Sequence, residues 1–209
     1  MVTLRPFECG ITKALEQCTE ALLQGGIVAF PTETFYGLGV RYDRHASLER
    51  LYAIKQRPLE KAMPLIIGKR DLLNLIAEDI PTAAERLMDR FWPGPLTLIL
   101  PAKASLSYYI TAGTGTVAVR IPGSSFAQDL AAAVEFPITA TSANISTQPP
   151  ADSADDVCRY FDARVDIIVD TGRTPGMAPS TLVDAAGESP VIVRRGIIPE
   201  EEIFRALQT

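Results

Sequence analysis

Short apolar runs, each closed by glycine or proline, alternate along this whole chain with stretches of helical spacing. Such alternation folds into α/β layers, because each run must bury its apolar face against a neighbouring layer. The chain's 14 Gly and 16 Pro supply the stops. Two pairs of runs, at 27 to 40 and 181 to 194, lie too close together to enclose a crossover helix. Antiparallel pairing is expected there and a mixed sheet overall. A chain of 209 residues, 47% of them apolar, has room for one sizeable core, so residues 1–209 are expected to form one domain.

The spacing predicts helices over 12–24, 48–56, 81–91, 125–134, 155–161 and 200 onward. Strands are expected at 27–30, 36–40, 63–67, 96–100, 116–121, 138–141, 165–169, 181–183 and 191–193. Ser47 is read as the cap of the second helix, Asp71 as the cap of a short helix through Ile76, and Asp79 as a cap with Pro81 inside the next helix. Residues 102–116 read as irregular. Loops at 145–152 and 171–179 are polar and carry proline.

Composition removes several function classes. One His cannot build a histidine-rich zinc site, and Cys9, Cys18 and Cys158 form no Cys-x-x-Cys pair. No metal-ligating residues are therefore assigned. Scattered thiols, with no leader-like or membrane-length apolar run, point to a cytoplasmic protein with no membrane partner. A net charge of −5 argues against a broad basic face for nucleic acid. The phosphate-cradling glycine loops of common nucleotide folds are missing.

What remains is hydroxyl, amide and cationic groups at strand and helix ends. Thr32, Thr34 and Tyr36 stand between the first two strands. Lys55 and Arg57 end a helix, and Lys61 follows. Arg120 ends a strand, Thr141, Ser142 and Asn144 end another, Ser180 begins one, and Arg194 ends one. Lys55, Arg57, Lys61, Arg120 and Arg194 would together make a cleft suited to polyphosphate if these ends converge. Lys or Arg at a helix end also complements the helix dipole, and Thr at a strand end also satisfies backbone groups.

Seven pieces in order resemble the YrdC-type family, the L-threonylcarbamoyladenylate synthases. They are Pro31-Thr-Glu-Thr-Phe-Tyr-Gly-Leu-Gly39, Lys55-Gln-Arg-Pro58, Pro93-Gly-Pro-Leu-Thr97, Val119-Arg-Ile-Pro122, Thr141-Ser-Ala-Asn144, Pro179-Ser-Thr-Leu-Val-Asp184 and Val193-Arg-Arg-Gly196. The resemblance implies one α/β domain with a twisted mixed sheet flanked by helices and a large, concave, positive cleft. It implies that L-threonine, bicarbonate and ATP, with Mg2+ carried by ATP, become threonylcarbamoyl-AMP and pyrophosphate for tRNA modification. Lys55, Arg57, Ser142 and Asn144 would then bind and activate the ATP phosphates, extended by Ser180 and Arg194. Thr32, Thr34, Tyr36, Lys61, Arg120 and Thr141 would surround threonine, with Arg120 taking its carboxylate. Glu33, the nearest acid in the motif, is read chiefly as an acceptor for backbone or hydroxyl donors and secondarily as a base. The two polar loops are candidate covers. TsaB, TsaD and TsaE are the implied downstream partners, and the length resembles the short bacterial form.

The chain departs from the family in two places. Thr147 stands where the family often has Gly, and Ile66-Ile67-Gly68 offers none of the histidine that some relatives place near threonine. A diverged YciO-like branch tends to lose the Lys-x-Arg and Ser-x-Asn residues, which this chain keeps. Two other readings stay open: an RNA-binding module without synthase activity, and a carbamoyl-transfer domain like that of HypF.

Overall fold

The computed structural model describes residues 1–176 and 178–208. In chain order come β1 (Val2–Leu4), α1 (Pro6–Cys9), α2 (Ile11–Leu23), β2 (Val28–Pro31), β3 (Tyr36–Gly39), α3 (His45–Lys55) and β4 (Leu65–Ile66). After a 3-10 turn at Arg70–Leu75 follow α4 (Thr82–Phe91), β5 (Leu96–Pro101), α5 (Tyr108–Thr111), β6 (Thr116–Arg120), α6 (Phe126–Ala133), β7 (Ile138–Thr139) and β8 (Thr141–Ser142). The chain then forms α7 (Ala154–Phe161), a 3-10 turn at Asp162–Arg164, β9 (Ile167–Val169), β10 (Thr181–Asp184), β11 (Val191–Arg194) and α8 (Glu200–Leu207). Met177, inside the loop expected over 171–179, lies outside the described residues.

The mixed architecture divides into two sheets. One has the order β1-β9-β2-β3-β8 and the other β11-β10-β5-β6-β4-β7. Both closely spaced pairs, β2 with β3 and β10 with β11, are antiparallel. Parallel joins sit where helices intervene, as between β2 and β9 or β5 and β10. The residues expected to form one strand over 138–141 break at Ala140. β7 pairs with β4 in the second sheet, while β8 pairs with β3 in the first. Thr139 locks the crossing: Val40 N donates to its side-chain oxygen and Thr139 N donates to the Val40 carbonyl. A methyl group on Gly39 would lie 2.7 Å from the Ile138 side chain and 2.9 Å from the Thr139 carbonyl, so glycine lets this crossing pack closely.

Strand periodicity explains the core. Val28 and Phe30 of β2 pack with α2 and α6, while Ile27 and Ala29 face the opposite cluster. In β9, Ile167 and Val169 likewise face one cluster and Ile168 the other. The central strands β2 and β9 are therefore buried on both faces. α2 contributes Ala14, Cys18 and Leu22, one buried stripe at four-residue spacing. Ser125 and Ser153 cap α6 and α7 by accepting from Gln128 N and Asp156 N.

Three expected caps act otherwise. Ser47 lies inside α3, which starts two residues earlier, and its hydroxyl donates to the Gly25 carbonyl. Asp71 sits within its 3-10 turn. Asp79 adopts φ +47°, and Pro81 itself holds the extended position before α4. A short helix, α5, forms where 102–116 reads as irregular, because Ser107 caps it locally. Among the described residues no helix is long and apolar enough to cross a membrane.

Candidate functional site

The two sheets meet around a cavity of about 350 Å³. Its walls follow from period-two alternation. In β5, Leu96, Leu98 and Leu100 are fully buried in the core, which turns Thr97 and Ile99 toward the cavity. In β6, Val117 and Val119 face the core while Ala118 and Arg120 line the cavity. Ser180 and Leu182 line it from the opposite face of β10 to core residue Val183. The first sheet supplies Thr32, Thr34, Tyr36, Thr141 and Ser142. A larger depression of about 720 Å³ lies between His45 and Ser105–Tyr109, and it holds none of the strand-end groups.

Of the five cations, Arg57, Arg120 and Arg194 line the cavity. Lys61 is exposed outside it and takes part through its carbonyl, which accepts from Arg57 Nε at 3.0 Å and from the Tyr52 hydroxyl at 2.6 Å. Arg57 Nη2 donates to the Ala62 carbonyl at 2.6 Å. Gln56, at φ +49°, ends α3 in a left-handed turn, which separates the directions of Lys55 and Arg57.

Lys55 is 1% exposed and points inward. Its ammonium donates to the carbonyls of Ser142 at 2.5 Å and Asn144 at 2.7 Å. Burial, aided by the nearby Arg57 charge, lowers its pKa to about 7. Lys55 thus fastens the β8 exit to the end of α3, and Ser146 N adds a bond to the Lys55 carbonyl. Within this knot the Ser142 hydroxyl donates to Asn144 Oδ1 at 2.5 Å. Asn144 Nδ2 donates to the carbonyls of Ile145 and Gln148. Lys55, Arg57, Ser142 and Asn144 therefore come together, with Arg57 and Ser142 on the cavity wall and Lys55 and Asn144 behind it.

The hydroxyl end is ordered by the turn after β2. Thr32 Oγ1 accepts from the backbone N–H groups of Thr34 and Phe35 and donates to the Phe35 carbonyl at 2.7 Å. The Thr34 hydroxyl lies 3.0 Å from the Thr32 hydroxyl, and either oxygen can donate in that contact. Thr34 lines the cavity beside Thr32. Tyr36 is fully buried and its hydroxyl donates to the Gly172 carbonyl. Burial pushes its pKa up to about 12.

Arg120 spans the two sheets. Its Nη1 donates to Glu33 Oε1 at 2.5 Å, so Glu33 takes a guanidinium rather than the backbone or hydroxyl donors expected. Burial lowers the Arg120 pKa, the Glu33 charge opposes that, and Arg194 adds to it. Arg194 donates to the Ser180 carbonyl and hydroxyl, and that hydroxyl sits 2.9 Å from Thr97 Oγ1. Thr97 closes the Pro93–Thr97 piece but carries no role in the sequence reading; strand alternation was the available signal. Gly196 permits this corner, since a methyl group there would lie 2.4 Å from both the Pro179 carbonyl oxygen and Thr181 N. Among the described residues no three His, Cys, Asp or Glu side chains gather to hold a metal.

Both loops considered as covers are bonded to this frame. Tyr36 N donates to the Ala151 carbonyl and Ala151 N to that of Ala143. Gly176 N reaches the Thr34 carbonyl, and Arg173 pairs with Asp152 at 2.6 Å. Thr147 adopts φ +78°, the left-handed region that favours glycine.

Comparison with known proteins finds relatives along most of the chain. The family model Sua5_yciO_yrdC, described as "Telomere recombination", matches residues 20–196. The threonylcarbamoyl-AMP synthase of Pyrococcus abyssi (strain GE5 / Orsay) is 41% identical over 184 residues, 88% of this chain and 54% of the relative. That of Bacillus subtilis (strain 168) is 41% identical over 194 residues, 90% of this chain and 55% of the relative. The crystal structure of P. abyssi Sua5 complexed with L-threonine matches with a TM-score of 0.88 and 38% identity, covering 98% of this chain and 60% of that one. The chain spans about half the length of the curated relatives it matches.

Proposed function

The chain belongs to the Sua5–YciO–YrdC family, and on that premise we propose that it is an L-threonylcarbamoyladenylate synthase acting through this cleft. One observation carries the reading: hydroxyl groups and the Arg120 guanidinium converge with two further arginines in a single cavity between the sheets. The threonine end comprises Thr32, Thr34, Tyr36, Thr141 and Arg120, with Lys61 just outside. Arg120 would pair with the amino-acid carboxylate, and Thr34 Oγ1 would accept from the substrate's hydroxyl or ammonium. The ATP end comprises Arg57, Ser142, Ser180 and Arg194, organised by Lys55 and Asn144 from behind. The P. abyssi relative crystallised with L-threonine supports the choice of amino acid.

The chemistry asks little covalent work of the protein. Threonine's neutral amine takes up bicarbonate to give an N-carboxy group and water. The new carboxylate attacks the α-phosphorus of ATP, and pyrophosphate departs. The cleft's part is to align the reactants and to offset charge growing on the phosphates, which Arg57 and Arg194 are placed to do. Mg2+ enters bound to ATP as part of the substrate. The reading takes residues 1–209 as one YrdC-like domain working in the cytoplasm, its product passing to tRNA modification through TsaB, TsaD and TsaE.

The test is pyrophosphate release from MgATP with threonine and bicarbonate omitted in turn. Release should require both. Release that ignores threonine, or none at all from folded protein, would refute the proposal.

A further inference from the structure

Three guanidinium groups line the cavity, and only one has a carboxylate partner. Arg57 donates to two carbonyls, and Arg194 to the carbonyl and hydroxyl of Ser180; neither has an acidic partner among the described residues. Arg120 is bound to Glu33 at 2.5 Å, with side chains 9% and 15% exposed. The pair bridges the sheets, since Glu33 sits in the turn between β2 and β3 and Arg120 ends β6. Glu33 Oε2 is the one buried side-chain polar atom with no partner among the described residues. Arginine–carboxylate pairs frequently engage both carboxylate oxygens. Glu33 engages one, so its charge stays undiluted beside Arg120. Its stem lies outside the cavity lining and near Gly123, whose added methyl group would meet Glu33 Cγ at 3.6 Å.

We propose that Glu33 is a positioning residue that sorts charge within the cleft: by neutralising one edge of Arg120, it makes that end a seat for a zwitterionic amino acid and leaves phosphate to the Arg57–Arg194 end. This rests on the proposed function and deepens it. An Arg–Glu pair presents no net charge to a phosphate group, yet Arg120's free edge still fits a single carboxylate. Without the Glu33 charge, three uncompensated arginines would face one cavity, and phosphate would compete for the amino-acid seat.

The variants are Glu33→Gln, which keeps shape and removes charge, and Glu33→Asp, which keeps charge. Glu33→Gln should raise the KM for L-threonine about tenfold and leave the KM for ATP within about twofold. Inorganic phosphate should become a competitive inhibitor against threonine in Glu33→Gln and in neither wild type nor Glu33→Asp. Equal rises in both KM values without phosphate competition would reduce Glu33 to a structural clasp and overturn the proposal, as would unchanged kinetics. Thermal-shift titration with L-threonine and with inorganic phosphate reads the same selectivity without turnover. It separates failure of this inference from failure of the synthase reading. If Glu33→Gln does not fold, Glu33→Ser carries the same two titrations: stabilisation by phosphate that wild type lacks supports charge sorting, and its absence overturns the proposal.

Discussion

Replacing Lys55 with Met should change how stability depends on pH. In the folded protein Lys55 titrates near 7, against 10.5 for an unburied lysine. Between those values the unfolded chain binds more protons than the folded one, so this group makes stability rise with pH. Below about 7 both states are protonated and the full cost of burying the charge is present. The slope approaches about 1.4 kcal/mol per pH unit, giving roughly 3 kcal/mol between pH 7 and pH 9.5. Lys55→Met lacks this titration. It also leaves the Ser142 and Asn144 carbonyls without their donor, a pH-independent cost of about 1–3 kcal/mol per orphaned group. Urea unfolding of wild type and variant at each pH isolates the slope as a difference. Wild type should gain on the variant steadily above pH 7. A flat difference would show that the ammonium is held at its ordinary pKa, and the account of a desolvated lysine would fall.

Three further outcomes follow from the same geometry. Arg57→Ala should lower turnover about 100-fold or more while moving thermal stability little, because its guanidinium lines the cavity and packs only on two carbonyls and the Tyr52 ring; folded variant with full pyrophosphate release would contradict its placement. Thr147→Gly should stabilise by about 1 kcal/mol in chemical denaturation, relieving a β-branched residue at φ +78°; no gain would mean that the turn carries no strain. Gly196→Ala should destabilise by about 1–3 kcal/mol and weaken ATP binding, since its methyl group would displace Ser180; an unaltered protein would show that this corner yields freely.

The elements were legible where one signal dominated. The α2 stripe of Ala14, Cys18 and Leu22 and the two close strand pairs follow from spacing alone. The break at Ala140 was not legible, because β7 and β8 read as one continuous strand and only the sheets they join tell them apart. Ser47 shows the same limit: a serine near a helix start looks like a cap until the Gly25 carbonyl takes its proton. At the site, the strand-end groups gathered because α/β strands deliver their ends to a common rim. Lys61 stayed outside: its side chain is exposed, and its carbonyl instead accepts from Arg57. The Glu33–Arg120 pair joins residues 87 apart in sequence, and no local pattern announces a contact of that range.

The most direct test of the central claim is the fate of bicarbonate carbon. Wild-type protein would be supplied with MgATP, L-threonine and ¹³C-bicarbonate, and the nucleotide product weighed by mass spectrometry beside an unlabelled reaction. The account predicts threonylcarbamoyl-AMP one mass unit heavier in the labelled reaction, and its loss in Arg57→Ala. An adenylate of threonine itself, without the labelled carbon, would contradict it.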